Sequence, residues 1–348
     1  MEPTPMDDSR FADLLTQFSR KSILVLGDVM LDRFIWGNVS RISPEAPVPV
    51  VHVQRESAYP GGAANVARNL LPFAGQVHVM GVLGPGMMGD LLRKNFEEEG
   101  LSTEALVVDE GYETIVKTRV VARSQQVVRI DRETPRSVSS RVVKQMKAHF
   151  SELLPSLDAI IIEDYAKGLL GQDFVDAVIA EAAEAGVPVT VDPNPNNPLS
   201  WRGVTAVKPN RIEAFQAAGL KDEGLGDDLA SDPILLELGQ RLHDLWDCQH
   251  LLITLSERGL VLLSRDEGPW HSHPRAREVF DVSGAGDTAI ALFTLALCSG
   301  ATAREAAHLS NHASSLVVGK VGTATVTPEE LTMAISGDYL QGDASPEH

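Results

Sequence analysis

Asp281-Val282-Ser283-Gly284-Ala285-Gly286-Asp287-Thr288 runs directly into Ala289-Ile290-Ala291-Leu292-Phe293-Thr294-Leu295-Ala296-Leu297. The second stretch is almost wholly apolar and reads as a buried helix, so the first is the turn that starts it. Ser283 is the expected N-cap of that helix. Gly284, Ala285 and Gly286 carry little or no side chain, which lets an anion approach their backbone N–H groups. A helix start offers unpaired N–H donors and the positive end of the dipole, and both favour a phosphate. Asp287 then falls in or near the first turn, beside that anion. A carboxylate next to a bound phosphate is electrostatically unfavourable, which points to a chemical role: general base toward an attacking hydroxyl. The simpler alternative is an aspartate that only complements the helix dipole.

Working back from this stretch, Ser22-Ile23-Leu24-Val25-Leu26-Gly27 is a nearly continuous apolar run, as expected of a strand buried on both faces. It leads into Asp28-Val29-Met30-Leu31-Asp32, where polar groups at the end of a central parallel strand face a ligand crevice, and Asp32 is either an acceptor for a ligand hydroxyl or a plain turn aspartate. Gly61-Gly62-Ala63-Ala64-Asn65 reads as a second glycine-led helix start with Asn65 on its first turn. From residue 141 strands and helices alternate regularly, which gives a mostly parallel, doubly wound α/β sheet with helices on both sides. Two segments break this rhythm. Residues 33–60 are proline-rich and then alternate, and residues 112–132 have a similar extended character. Together they predict a small β-sheet laid over the main one as a lid or a dimer contact. The whole chain, 1–348, reads as one domain containing these lid segments.

The net charge is −18. Such a field repels nucleic acid and anionic membrane, and no segment is apolar enough to span a bilayer. The N-terminal 20 residues do not form a secretory signal, and Cys248 and Cys298 have no metal-ligand spacing, which together fit a cytoplasmic protein. An acidic enzyme that binds phosphorylated molecules must concentrate its cations locally. Tyr112–Arg136 does so, with Lys117, Arg119, Arg123, Arg129, Arg132 and Arg136. Arg119, Arg123 and, in the loop after a strand, Lys167 are the candidates for holding a substrate phosphate. The bland reading of each is a solvated salt bridge.

Four motifs in order, Gly27–Asp32, Gly61–Ala67, Asn210–Glu213 and Asp281–Asp287, resemble the ribokinase (PfkB) family of sugar kinases across almost the whole chain. The segment Arg41–Val50, the short Gly61–Asn65, Asp164-Tyr165-Ala166-Lys167-Gly168 and Thr254–Glu257 are similar to the bacterial heptose-7-phosphate kinases of that family, in a form without an appended adenylyltransferase domain. The resemblance implies a ribokinase-like fold and a homodimer. It implies Asp287 as the base, with Gly284, Ala285 and Gly286 holding charge on the transferred phosphoryl group. It implies Asp32, Gly61, Gly62 and Asn65 as sugar-binding residues, with Asp164 and the basic candidates around them. Asn210 and Glu213 would organise Mg-ATP, Glu213 through water on Mg2+, while Ser256, Glu257 and Gly259 border the nucleotide. Asp281 and Ser283 resemble part of a monovalent-cation (K+) loop. The motifs of other kinase classes, a Walker lysine or the HRD and DFG sets, are absent from the sequence, and no GxGxxG follows the first strand. A kinase for another sugar or sugar phosphate, or a silent sugar or nucleotide sensor on the same fold, are the alternatives.

Overall fold

The computed structural model describes residues 6–122, 125–134, 136–273, 282–320 and 324–336. After α1 (Asp8–Phe18) and β1 (Ser22–Gly27), the chain leaves the main layer for a long hairpin, β2 (Val29–Ile42) and β3 (Pro49–Gly62). It returns through α2 (Ala63–Leu70), β4 (Gln76–Leu83), α3 (Met87–Glu98) and β5 (Leu106–Val108). A second excursion, β6 (Ile115–Ala122) and β7 (Gln125–Arg132), precedes α4 (Ser140–Leu153), β8 (Ala159–Glu163), α5 (Gln172–Ala185), β9 (Val189–Asp192), β10 (Ala206–Val207), α6 (Arg211–Ala218) and α7 (Pro233–Trp246). β11 (His250–Thr254), β12 (Leu260–Ser264) and β13 (Trp270–Ser272) are followed by α8 (Ala285–Cys298), α9 (Ala303–Val318) and α10 (Pro328–Ser336).

Among the described residues the main sheet runs β13-β12-β11-β10-β9-β8-β1-β4-β5, parallel except at the β11-β12-β13 edge. β1 shows why its sequence is continuously apolar. Ile23 and Val25 point into one core with Phe11, Leu14 and Phe18 of α1, while Leu24 and Leu26 point into the other with Phe150 and Phe174. A strand with helices on both faces has no solvent side, so no alternation remains to be read. α8 is equally enclosed, with every residue from Thr288 to Ala296 buried. Its position is fixed by polar ties as well as packing: Thr294 shares a 2.6 Å hydrogen bond with Thr190 of β9, and Thr288 donates to Asn69 of α2 at 2.8 Å.

The expected second layer is present as a four-stranded sheet, β3-β2-β6-β7. It begins earlier and ends later than residues 33–60 suggest. β2 starts at Val29, directly after β1, and β3 continues to Gly62. Val29, Met30 and Leu31 are buried like core residues, so hydrophobicity does not mark the change of sheet. β5, β13 and α10 were not legible as elements in the sequence. The two strands are three residues long. α10 did carry a signal in Thr327-x-x-Glu330, whose side chains and backbone N–H groups bond reciprocally at 3.2 and 2.9 Å.

Candidate active site

The C-terminal ends of β8 to β11 and the start of α8 enclose a cleft of about 560 Å3, a volume suited to a small-molecule ligand. At its wall α8 starts from Gly284, not Ser283. Gly284 is the N-cap at φ +84°, with no side-chain cap, a conformation that L side chains avoid. The expectation of a Ser283 cap is therefore corrected: the left-handed turn requires glycine where the serine would cap a helix starting one residue earlier. Ala285, Gly286 and Asp287 form the first turn and line the cleft.

Asp287 is held by two donors from distant parts of the chain. The Asn65 amide donates to Oδ2 at 2.6 Å and the Tyr165 hydroxyl to Oδ1 at 3.1 Å. Asn65 reaches it because Gly62 (φ +64°) turns the end of β3 into α2. A Cβ on Gly284 would come within 3.0 Å of the Asn65 amide nitrogen, so the bare glycine also makes room for this contact. Burial pushes the Asp287 carboxyl above its ordinary range, and the Asn65 amide, the Lys208 charge and the Tyr165 hydroxyl partly offset this.

Glu163 and Asp192 end β8 and β9 as register partners. Together with Asp287 they bring three carboxylates whose ligand oxygens lie within 4.8 Å of one another. Glu163 is 1% exposed and its Oε1 has no hydrogen-bond partner. Burial, then the charges of Asp192 and Asp287, push the Glu163 carboxyl well up, and burial pushes Asp192 up to about 7. Lys208, two residues before Asn210, pairs with Asp192 at 2.7 Å, and a Cβ on Gly286 would lie 3.3 Å from its Nζ. Burial works against the Lys208 ammonium, yet Asp192 and the surrounding carboxylates outweigh it and its pKa rises. An orphaned buried carboxylate oxygen within an acidic trio fits a hard divalent cation such as Mg2+. Glu163, Asp192, Lys208 and Tyr165 were not singled out from sequence. The first two had a readable signal, since acids at the ends of parallel strands open onto the ligand crevice.

Asn210 and Glu213 form a reciprocal capping box at the start of α6, with bonds of 3.0 and 2.8 Å. That box fixes the Glu213 carboxylate at the cleft wall, where its charge acts on Glu163, Asp192 and Lys208. Ser256, Glu257 and Gly259, in the turn between β11 and β12, line the same cleft. Asp164 lines it as well. Its Oδ1 accepts from the Ala166 backbone at 2.8 Å and its Oδ2 from Asn197 at 3.0 Å, and burial pushes it up to about 7.

Asp32, Gly61 and Arg119 lie on the small sheet itself, and Lys167 reaches Glu133 just beyond its last strand. Asp32 is not at the end of β1, as expected, but on β2; Asp28 holds the β1 position, because the chain turns into the second sheet at Val29. Asp28 Oδ2 accepts the backbone N–H groups of Tyr165 at 3.2 Å and Lys167 at 3.1 Å, which sets the loop that carries both side chains. Asp32 pairs with Arg119 and packs on Gly61, where any Cβ would meet its Oδ2 at 2.0 Å. Lys167 pairs with Glu133 at 2.8 Å. Arg123 and Asp281 lie outside the described residues. Ser283 is exposed beside the α8 turn.

A glycine-led helix start, a carboxylate held beside it and an acidic trio are the parts that phosphoryl transfer uses. The model of the pfkB family carbohydrate kinases matches residues 20–330. The chain belongs to this family. Its members are ATP-dependent carbohydrate kinases. Among curated relatives it is 41% identical to the bifunctional protein HldE of Magnetococcus marinus, over 94% of this chain and 67% of that protein. It is 42% identical to that of Desulfatibacillum aliphaticivorans, over 90% of this chain and 63% of the relative. The chain thus spans about two thirds of the length of these relatives. Phosphofructokinase-2 from Escherichia coli in complex with potassium superimposes with a TM-score of 0.71, at 19% identity, covering 92% of this chain and 99% of that one. Ribokinase of Arabidopsis thaliana with ribose and ATP gives 0.67 at 17% identity, covering 91% and 99%. These two likenesses concern the fold. No helix among the described residues is long and apolar enough to cross a membrane.

Proposed function

We propose that this pfkB kinase phosphorylates the anomeric hydroxyl of D-glycero-β-D-manno-heptose 7-phosphate, giving the 1,7-bisphosphate, a precursor of the lipopolysaccharide inner core. The observation that carries the chemistry is the Asp287 carboxylate, gripped by Asn65 and Tyr165 beside the first N–H groups of α8. Asp287 takes the proton of the sugar hydroxyl. That oxygen bonds to the γ-phosphorus as the β–γ bridging P–O bond breaks, and ADP leaves with the electron pair. The Ala285 and Gly286 amides and the Lys208 ammonium meet the charge that develops on the transferred group. Glu163 and Asp192, with Asp287 and Glu213 close by, would hold Mg2+, which when bound would neutralise charge on the ATP phosphates. Ser256, Glu257 and Gly259 border the nucleotide, while Asp32, Gly61, Gly62, Asn65 and Asp164 surround the sugar.

The heptose is supported by the roughly 40% identity to HldE proteins over nine-tenths or more of this chain. We place the protein in the cytoplasm, as a homodimer, with K+ as a candidate second cation. The test is ADP release from Mg-ATP across a panel of sugars and sugar phosphates, with phosphorus NMR of the product. Turnover of the heptose 7-phosphate with a new anomeric phosphate is expected. Turnover only of a hexose phosphate would overturn the substrate and keep the kinase.

A further inference from the structure

We propose that Lys117 is the cation that holds the phosphate already carried by the sugar, in a subsite between the inner face of the small sheet and the loop that carries Lys167. This rests on the reading of the substrate as a sugar phosphate and assigns the residue that recognises it.

The first observation is register. Tyr59 of β3, Asp32 of β2, Lys117 of β6 and Asp131 of β7 are directly opposed across the small sheet, so their side chains share one face. Asp32 lies close enough to the active centre for its charge to act on Asp287, and close enough to Lys117 to act on that ammonium too. The row therefore leads from the reacting hydroxyl at Asp287, past Asp32, to Lys117. Lys117 does not line the cleft that holds Asp287, Lys208 and Glu213.

The second observation is the pairing of cations. Arg119 is taken by Asp32, Arg129 by Asp131 and Lys167 by Glu133. Arg55, on the same face, lies over the Trp36 ring, and Lys117 makes no ion pair or hydrogen bond among the described residues. It is half-buried, and its pKa is lowered first by that burial and then by the like charge of Lys167, which the charges of Glu133, Asp32 and Asp131 oppose without reversing. An ammonium shielded from water, facing a second ammonium and held by no carboxylate in an ion pair, is unfavourable by itself. A phosphate dianion between Lys117 and Lys167 removes both penalties. A free sugar removes neither.

The experiment compares kcat/KM for phosphorylated and unphosphorylated acceptors in the wild type, Lys117→Met and Lys117→Arg. The pairs are heptose 7-phosphate against the same heptose without phosphate, and fructose 6-phosphate against fructose, so a hexose phosphate substrate is covered as well. In Lys117→Met the preference for the phosphorylated acceptor is expected to fall about 10- to 100-fold, through KM of the sugar phosphate, with KM for ATP within about twofold. Lys117→Arg, which keeps the charge, recovers part of the preference. A wild type that prefers the sugar phosphate, with that preference intact in Lys117→Met, overturns the assignment of Lys117 alone. A wild type without any such preference overturns the sugar-phosphate reading and the subsite together. A lowered melting temperature in both variants with an unchanged preference makes Lys117 a packing residue and also overturns the proposal.

Discussion

The Asn65 amide and the Asp287 carboxylate, separated by 222 residues of chain, meet at 2.6 Å. Two helices make this contact, each started by a glycine with positive φ, Gly62 before α2 and Gly284 before α8. The two helices are also tied by Thr288, next to Asp287, which donates to Asn69, one turn beyond Asn65 on α2. The pair therefore sits on rigid elements, and the Asp287 oxygen that faces Asn65 has a fixed direction.

Asp287→Asn removes the proton acceptor while preserving shape. Loss of a general base typically lowers turnover by about 10²- to 10⁴-fold. ATP binding, measured by calorimetry, is expected to persist, because Ser256, Glu257 and the α8 amides are untouched. Near-normal turnover would remove Asp287 from the base role.

Asn65→Ala leaves one oxygen of a buried carboxylate without its donor. Losing a hydrogen bond to a charged group costs about 1.5–3 kcal/mol, so kcat should fall roughly 10- to 100-fold. Steady-state kinetics on a variant with unchanged melting temperature tests this. A kcat within twofold of wild type would show that Tyr165 alone suffices to hold Asp287.

Tyr165→Phe is expected to move the pH profile. Burial raises the Asp287 carboxyl, and the Tyr165 hydroxyl, by bonding to the charged form, lowers it. Removing the hydroxyl raises it further, so the acid limb of the kcat profile, where the base becomes protonated, shifts to higher pH. A limb that stays in place while kcat falls would mean that Tyr165 does not act through Asp287.

The buried acids also set how stability responds to pH and metal. Asp192 and Asp164 are each pushed up to about 7, mainly by burial, so the folded chain holds protons that an unfolded chain releases near pH 4. For acids with raised folded values, stability falls as pH rises from about 4 through about 7. A divalent cation among Glu163, Asp192 and Asp287 replaces those protons at high pH. Millimolar Mg2+ should therefore raise the melting temperature more at pH 8 than at pH 5.5. Equal shifts at the two values would count against a cation site in this trio.

Much of this arrangement was legible because single motifs carry local physics. Gly284-Ala285-Gly286-Asp287 reads as a phosphate-binding helix start from its small residues, and Gly61-Gly62 marks a second helix start, whereas the Asn210–Glu213 capping box that starts α6 went unread. What remained hidden depends on contacts across the chain. Tyr165 looks like an ordinary loop aromatic until the Asp28 carboxylate, collecting two backbone N–H groups, turns its loop toward Asp287. Lys208 looks like a surface lysine, yet it is 4% exposed and answers Asp192. Arg119 was read as a candidate for a substrate phosphate, but its pairing with Asp32 follows from the strand order of the small sheet, which no periodicity reveals.

That small sheet supports the last prediction. Its edge strands are β3 and β7, and every residue of β7 is exposed. Val128 and Ile130 on β7 are 46% and 55% exposed, and Ile42 and Val53 on the β2–β3 hairpin 61% and 53%. Apolar side chains along open strand edges are unfavourable in water and invite pairing with another strand. A second copy of the chain, offering the same edges, matches them in both hydrogen bonding and apolarity. Sedimentation at micromolar concentration should give twice the chain mass of 37.5 kDa. Val53→Lys with Ile130→Lys places charge at both edges and should shift the protein to monomer with its melting temperature little changed. A wild type that sediments as a monomer under these conditions would leave the small sheet as a lid and remove its role as an interface.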